Sequence, residues 1–383
     1  MMEPKIRFKG FEGEWLKRTA CNIVGRFRTG KLDANAMVSN GKYRFYTCAK
    51  DYFHIDTYAF DDEALLISGN GENVGYIHYY NGKFNAYQRT YVLTDFSQNI
   101  FFIKSYLEAR LKKRINKEKS IGNTPYIRLD TIRDMEIAIS PKMEEQQAIA
   151  SYFTSLDSQI SAATSRLAAL KQMKAASLQA MFPQEGETVP KIRFKGFEGE
   201  WKKVKFSELY ERSSIKNDLS FGEDKIISVA NMFFIKNSRQ VDDDYLRSYN
   251  IMRLGDIAFE GHSSKEFAYG RFVENTIGDG IVSHVFVVMK PISKKYDLYF
   301  WKYYINNENI MGRILSRCTK SSTMMNDIVV DDFLKESILV PSYGEQIEIG
   351  KILTSLDRQI SLQSQRLEKL KQIKSACLDK MFV

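Results

Sequence analysis

Two stretches of this chain carry apolar residues at alternating spacings of four and three, with no proline inside, as a helix with one narrow seam does. Ile149, Phe153, Leu156, Ile160, Ala163, Leu167 and Leu170 form the first stripe; Ile349, Leu353, Leu356, Ile360, Gln363, Leu367 and Leu370 form the second. The spacing predicts long helices from Glu144 to Phe182 and from Gly344 to Phe382, each about 39 residues and roughly 58 Å long. So narrow a seam belongs to a coiled coil rather than to a broad globular face. Two arrangements fit, helices of two separate bundles or one pair wound on itself. An antiparallel pair accounts for more, because it would place the domains between the helices at opposite ends of one rod. Ala163 and Gln363 interrupt the seams at matching positions, where a small and a polar residue can fix register. Ser342 with Glu345 offers a capping box for the second helix, and Pro141 and Pro341 close the strands before each helix.

The helices are copies of one another. Residues 144–182 align with 344–382 without a gap, sharing Thr154-Ser155-Leu156-Asp157 with Thr354-Ser355-Leu356-Asp357, and Leu170-Lys171-Gln172 with Leu370-Lys371-Gln372. A second repeat lies upstream, where PKIRFKGFEGEW runs from Pro4 to Trp15 and again, unchanged, from Pro190 to Trp201. Repeats of this kind reveal architecture. The divisions that follow are a first domain over 1–143, a helix over 144–183, a linker over 184–189, a second domain over 190–343 and a helix over 344–383.

The two domain sequences differ but share an outline. Ala64 to Gly69 and Asp256 to Gly261 read as short buried strands ending in glycine, and aromatic helices around Phe101, Phe102 and Tyr106 match those around Tyr299, Phe300 and Tyr303. Small polar loops follow at 120–124 and 320–323, then a strand leading to the proline. The expected fold is mixed α+β, with two globular domains of one topology separated by two long antiparallel coiled-coil helices.

Composition narrows the class. At 383 residues with 44 % hydrophobic and 13 % aromatic content, the chain can bury two cores. A formal net charge of +9 favours an anionic partner. Cys21, Cys48, Cys318 and Cys377 are scattered, and the chain has only His54, His78, His262 and His284 to join them, so neither a disulfide framework nor a metal site is expected. No apolar run reaches the length of a membrane span and the first residues lack a signal-peptide core, which makes the cytoplasm the expected location.

Catalytic motifs are not legible. Gly69 to Gly75 has the wrong glycine spacing for a phosphate loop and runs into strand-forming Tyr76 to Tyr80, which favours a hairpin turn. Asn123-Thr124-Pro125-Tyr126 is similar to the Asn-Pro-Pro-Tyr motif of adenine methyltransferases but has threonine at the first proline, and no cofactor-binding βαβ unit precedes it. Ser263 and Ser264 lie near His262 without a nucleophile elbow.

Binding features are better represented. Lys104, Arg110, Lys112, Lys113, Arg114, Lys117 and Lys119 line a helix that leads into the 120–124 loop, with only Glu108 and Glu118 opposing them. Such a run is commonly a solvated face; followed by a Ser/Gly/Asn/Thr loop it also suits phosphate contact. Arg and Lys read guanine, and Asn and Gln read adenine, in the major groove. The contact candidates are therefore Asn70, Asn73, Gln88, Arg89, Arg110, Lys112, Lys113, Lys119, Asn123 and Thr124 in the first domain. In the second they are His262, Ser263, Ser264, Lys265, His284, Lys320, Ser321, Ser322 and Asn326.

The whole layout resembles the specificity (S) subunit of type I restriction-modification enzymes: variable domain, conserved helix, variable domain, conserved helix. The resemblance rests on the junctions Pro141 to Gln146 and Pro341 to Gln346, the TSLD segments, the LKQ helix ends, and Gly255 to His284, which looks like a target recognition domain. It implies a non-catalytic chain whose two target recognition domains each read one half of a bipartite DNA site. The paired helices would set the unread spacer and dock two modification subunits, which use S-adenosylmethionine to methylate adenine. Two restriction subunits would add ATP- and Mg-dependent translocation and cleavage. Two other readings stay open from the residues alone, a stand-alone regulatory DNA-binding protein and, more distantly, a methyltransferase acting alone.

Overall fold

The computed structural model describes residues 3–118, 126–236, 242–293, 295–321 and 325–383. The chain divides into two compact units, one of Met1–Ser165 with Ser364–Val383, the other of Arg166–Gln363. Each long helix therefore contributes one half to each unit. Among the described residues no helix is long and apolar enough to cross a membrane.

In the first unit β1 (Leu16–Thr19) leads to β2 (Val24–Thr29), β3 (Tyr43–Tyr46), β4 (Phe53–Ile55), β5 (Phe60–Ser68), β6 (Ile77–Ala86) and β7 (Thr90–Phe96). Then follow α1 (Ile100–Glu118), α2 (Leu129–Arg133), β8 (Glu136–Ile139) and the start of α3 (Met143–Ala180). The sheet order is β2-β7-β5-β6-β3-β4, antiparallel except for β3 with β6, while β1 pairs with β8. Strand β5 is buried on both faces. Leu65 and Ile67 join Leu93, α1 and α3 in one core, and Ala64 and Leu66 join Tyr46, Phe84 and Val92 in another. A strand buried on both sides reads as a continuous apolar run, and Ala64 to Ile67 is one. The Gly69 to Gly75 stretch is the β5–β6 hairpin turn, with Gly71 and Gly75 at φ of 79° and 80°.

The second unit carries β9 (Lys202–Lys205), α4 (Phe206–Leu209), β10 (Tyr210–Ser213), β11 (Ile227–Ser228), β12 (Phe233–Phe234), α5 (Asp243–Ser248) and β13 (Asn250–Met252). It continues with β14 (Ile257–Glu260), β15 (Arg271–Glu274), β16 (Gly280–Val282), β17 (Val288–Pro291), α6 (Leu298–Tyr304) and α7 (Glu308–Cys318). Then come β18 (Thr319–Lys320), β19 (Asp327–Ile328), α8 (Val330–Lys335), β20 (Ser337–Val340) and α9 (Tyr343–Met381). Its main sheet has the order β10-β17-β14-β15, and β9 pairs with β20 as β1 does with β8.

The expected shared topology is met in a four-stranded core: β2-β7-β5-β6 and β10-β17-β14-β15 follow the same order, antiparallel throughout. Among the described residues the first sheet adds β3 and β4 to that core, whereas the second unit has the short pairs β11–β12, β13–β16 and β18–β19 beside it. Helix α1 is continuous over 19 residues, whereas its counterpart breaks into α6 and α7. Asn307 caps α7, its side chain accepting from the Asn309 N–H. The frame around the core is common too: the entry segment, the β1–β8 or β9–β20 pair, and the long helix.

The repeated entry segment locks onto the helix start in both units. Arg7 donates to Glu145 through Nε at 2.6 Å and Nη2 at 2.9 Å, and through Nη1 to the Gly13 carbonyl at 2.6 Å. Arg193 repeats this with Glu345 at 2.7 and 2.8 Å and with the Gly199 carbonyl. Gly13 and Gly199 have φ of 89° and 76°, a conformation that glycine adopts without penalty. The capping box expected of Ser342 is thus only half formed: Ser342 Oγ accepts from the Glu345 N–H at 3.3 Å, while the Glu345 carboxylate is held by Arg193. Trp15, 2 % exposed, packs on Phe102 and Phe382 and donates to Glu145. Trp201, 3 % exposed, packs on Phe300 and Tyr304, and its indole N–H is buried without a protein hydrogen bond.

Helices α3 and α9 pack antiparallel within each unit. In the first, Tyr152 meets Cys377 at 3.4 Å and Asp157 meets Lys374 at 2.6 Å, so later residues of α3 face earlier residues of α9. In the second, Asp357 meets Lys174 at 2.6 Å, and Phe182 shares a core with Ile349 and Leu353. The stripes are buried or half-buried at every position. They are not wholly a coiled-coil seam, however, because Ile149, Phe153, Ile349 and Leu353 lie inside the domain cores.

Candidate nucleic-acid interface

One end of the six-stranded sheet gathers several loops. Tyr87 donates its N–H to the Tyr46 carbonyl and Gln88 to that of Leu32, both at 2.9 Å, and Gly69 donates to the Arg89 carbonyl at 2.8 Å. Asn73 donates through Nδ2 to the Cys48 carbonyl at 3.2 Å, and Gln88 through Nε2 to Asp33 at 2.7 Å. The structure therefore brings Asn70, Asn73, Gln88 and Arg89 onto neighbouring loops, with Gln88 and Arg89 exposed.

Beside them lies a group that sequence reasoning missed. The Arg44 guanidinium sits 4.3 Å from the Tyr52 ring centroid and 4.6 Å from that of Tyr80, and donates to the Tyr46 hydroxyl at 3.4 Å. Lys42 lies over Tyr43 and Lys83 over Tyr58. A guanidinium held between ring faces is pre-organised for planar recognition. The signal in the sequence is Lys42-Tyr43-Arg44-Phe45-Tyr46, whose alternation points Lys42, Arg44 and Tyr46 to one face of a strand. Burial pushes the His78 imidazole below its ordinary value, although a bond to the Ala49 carbonyl opposes this.

The basic helix turns Lys104 and Arg110 toward the protein, while Lys112, Lys113 and Lys117 stay exposed. Lys104 pairs with Glu108 at 2.5 Å and Asp157 at 3.1 Å, Arg110 donates to the Phe382 carbonyl, and Lys113 pairs with Asp379 at 2.6 Å. Lys112 is exposed and lines a cavity of about 910 Å3 together with Asn73, Lys50, Tyr76 and Lys371. Lys119, Asn123, Thr124 and Ser322 lie outside the described residues.

In the second unit the loop from Gly261 to Gly270, between β14 and β15, is clamped by Asn326. Asn326 is buried, its N–H donates to the Gly261 carbonyl at 2.8 Å, and its amide donates to Ser263 Oγ at 2.9 Å and the Ala268 carbonyl at 3.3 Å. A Cβ on residue 261 would collide with the Asn326 carbonyl, which accounts for glycine there. Ser264 Oγ accepts from the Phe267 N–H at 3.0 Å, leaving Lys265 exposed at the tip. His262 bonds Glu260 through Nδ1, and Arg271, 3.7 Å from Glu260, lies 4.7 Å over the Phe267 ring. Phe259 donates to the Val287 carbonyl at 2.9 Å, so the turn carrying His284 stands at the same end of the sheet. Lys320 ends β18, opposite Asp327 of β19, and Ser321 follows it; both are exposed, and Asn326 stands just before β19.

Each unit thus presents polar and cationic loops at one end of a β-sheet, on a frame repeated along the chain. The family described as type I restriction modification DNA specificity domain matches residues 21–172 and again 198–372. The chain belongs to this family. Its two specificity domains correspond to the two β-rich domains seen here. Over 171 residues the chain is 39 % identical to the type I restriction enzyme EcoDI specificity subunit of Escherichia coli. That stretch covers 44 % of this chain and 37 % of that protein, little more than a third of the relative's length. The solved S subunit of a type I restriction-modification system from M. genitalium shares the fold, with a TM-score of 0.67 over 100 % of this chain and 99 % of that one at 16 % identity.

Proposed function

We propose that the two specificity domains each read one half of a bipartite DNA site within a type I restriction-modification complex. The observation that carries this reading is the contrast inside the chain: one frame is built twice, yet the loops it presents at the sheet ends share no residue pattern. Asn70, Asn73, Gln88, Arg89 and Arg44 are the base-reading groups of the first domain. His262, Ser263, Lys265 and Lys320 are those of the second, while Asn326 shapes their loop. Arginine at guanine and amides at adenine supply the discrimination, and the net charge of +9 favours approach to the duplex.

In this reading the chain brings no catalytic group of its own. Two modification subunits bearing S-adenosylmethionine dock on the long helices, where Met173 and Ile373 occupy equivalent positions and are 55 % and 36 % exposed. Two restriction subunits supply the ATP- and Mg-dependent steps. The test is to replace residues 16–140 by those of another family member and to sequence methylated adenines in cells holding the complete system. One half-site changes and the other stays; a change in both overturns the assignment of one half-site to each domain.

A further inference from the structure

The internal role of PKIRFKGFEGEW uses only part of it. Arg7 and Arg193 hold the buried glutamates, Trp15 and Trp201 enter the cores, and Phe8 and Phe194 are packed against them. Lys5, Ile6, Lys9, Glu12 and Glu14 face solvent, and so do their counterparts in the second copy. Ile6 is 45 % exposed and Ile192 59 %, and Lys9, Glu14, Lys195 and Glu200 are exposed as well. These four charged side chains make no hydrogen bond or ion pair with the described residues. Backbone conformation repeats too: Ile6 donates to the Lys380 carbonyl at 3.1 Å and Ile192 to that of Ala180 at 2.9 Å.

Folding alone does not demand this identity. Exposed positions away from special features tolerate substitution with little change in stability, and even buried equivalents elsewhere in the frame have diverged, Phe153 standing where Leu353 does and Ala163 where Gln363 does. An exposed isoleucine beside an unpaired lysine, kept in both copies on the same backbone, is what one binding surface met twice requires. A partner reading both copies must itself be present as two copies of one protein.

We infer that the solvent face of the repeated segment, centred on Ile6 with Lys9 and on Ile192 with Lys195, is a docking surface for that duplicated partner. This inference rests on the reading above, in which the modification subunit is present twice. The partner surface would offer an apolar slot for the isoleucine beside acidic side chains for the lysine.

The test uses the full chain, purified modification subunit and native mass spectrometry. The variants are I6E with K9E, I192E with K195E, and all four together, with circular dichroism to confirm folding. The unaltered chain binds two modification subunits, each paired variant binds one, and the fourfold variant binds none. Two subunits bound to the folded fourfold variant with unchanged affinity would overturn the docking surface. Failure of the unaltered chain to bind any modification subunit would instead overturn the underlying reading.

Discussion

Arg7 and Arg193 stand between lysines in the two copies of the entry segment, Lys5 and Lys9 in one and Lys191 and Lys195 in the other. In the fold they are internal: the Arg7 side chain is 13 % exposed and its partner Glu145 is 0 % exposed. Burial alone would raise the Glu145 carboxyl, but the bonds from Arg7, Ser140 and Trp15 prevail and hold it below its ordinary value. Removing one member of such a pair leaves a buried charge without compensation, at a cost of about 3 kcal/mol. R7L should therefore lower the stability of the first unit by that order in urea denaturation. R7L combined with E145Q should recover most of the loss, because the introduced amide carries no charge and its oxygen can still accept from Trp15 and Ser140. Equal destabilisation by the single and the combined changes would show that the arginine acts through packing of its stem instead.

Asp157 and Asp357 show what the helix repeats are for at the scale of elements. The aspartate of each TSLD segment receives the lysine that ends the other helix's LKQ-K motif, Lys374 and Lys174, both at 2.6 Å. Asp157 is also met by Lys104 from α1. Burial opposes ionisation of Asp157, but these two ammonium groups outweigh it and keep its pKa below 3.8. A depressed carboxylate stabilises the fold when ionised. Its contribution is present above about pH 4 and is lost as the pH falls through the lower folded value. D157N should lower the thermal midpoint of the first unit near neutral pH and flatten its decline below about pH 4. Parallel pH profiles for the two proteins would remove Asp157 from the acid response.

The chain divides into two units that share two continuous helices, each unit holding the first half of one helix and the second half of the other. Inserting one heptad in α3 keeps the seam in phase and lengthens that connection by about 10 Å, or roughly three base pairs at about 3.4 Å each. If the helices set the spacer, methylome sequencing should show a longer gap between unchanged half-sites; an unchanged gap would rule that role out.

The sequence by itself determined the long helices, their narrow stripes, the paired entry segments and the strand from Ala64 to Ile67, because each is written in local periodicity or in literal repetition. Asn70 and Asn73 were legible as residues of the Gly69–Gly75 turn, whereas Gln88 and Arg89 stood out by residue type alone, and the β6–β7 turn that brings them beside that hairpin is a feature of the fold. The tertiary structure decided the rest. Strand order depends on pairings between distant segments, so the four-stranded core that the two domains share, and the strands added around it in each, emerge only in the fold. Side-chain partners across the chain turned Arg7, Lys104 and Arg110 inward, paired the exposed Lys113 with Asp379, set Asn326 as a clamp, and placed Arg44 between Tyr52 and Tyr80. Which charges remain free is fixed by neighbours far away in sequence, and no local pattern records them.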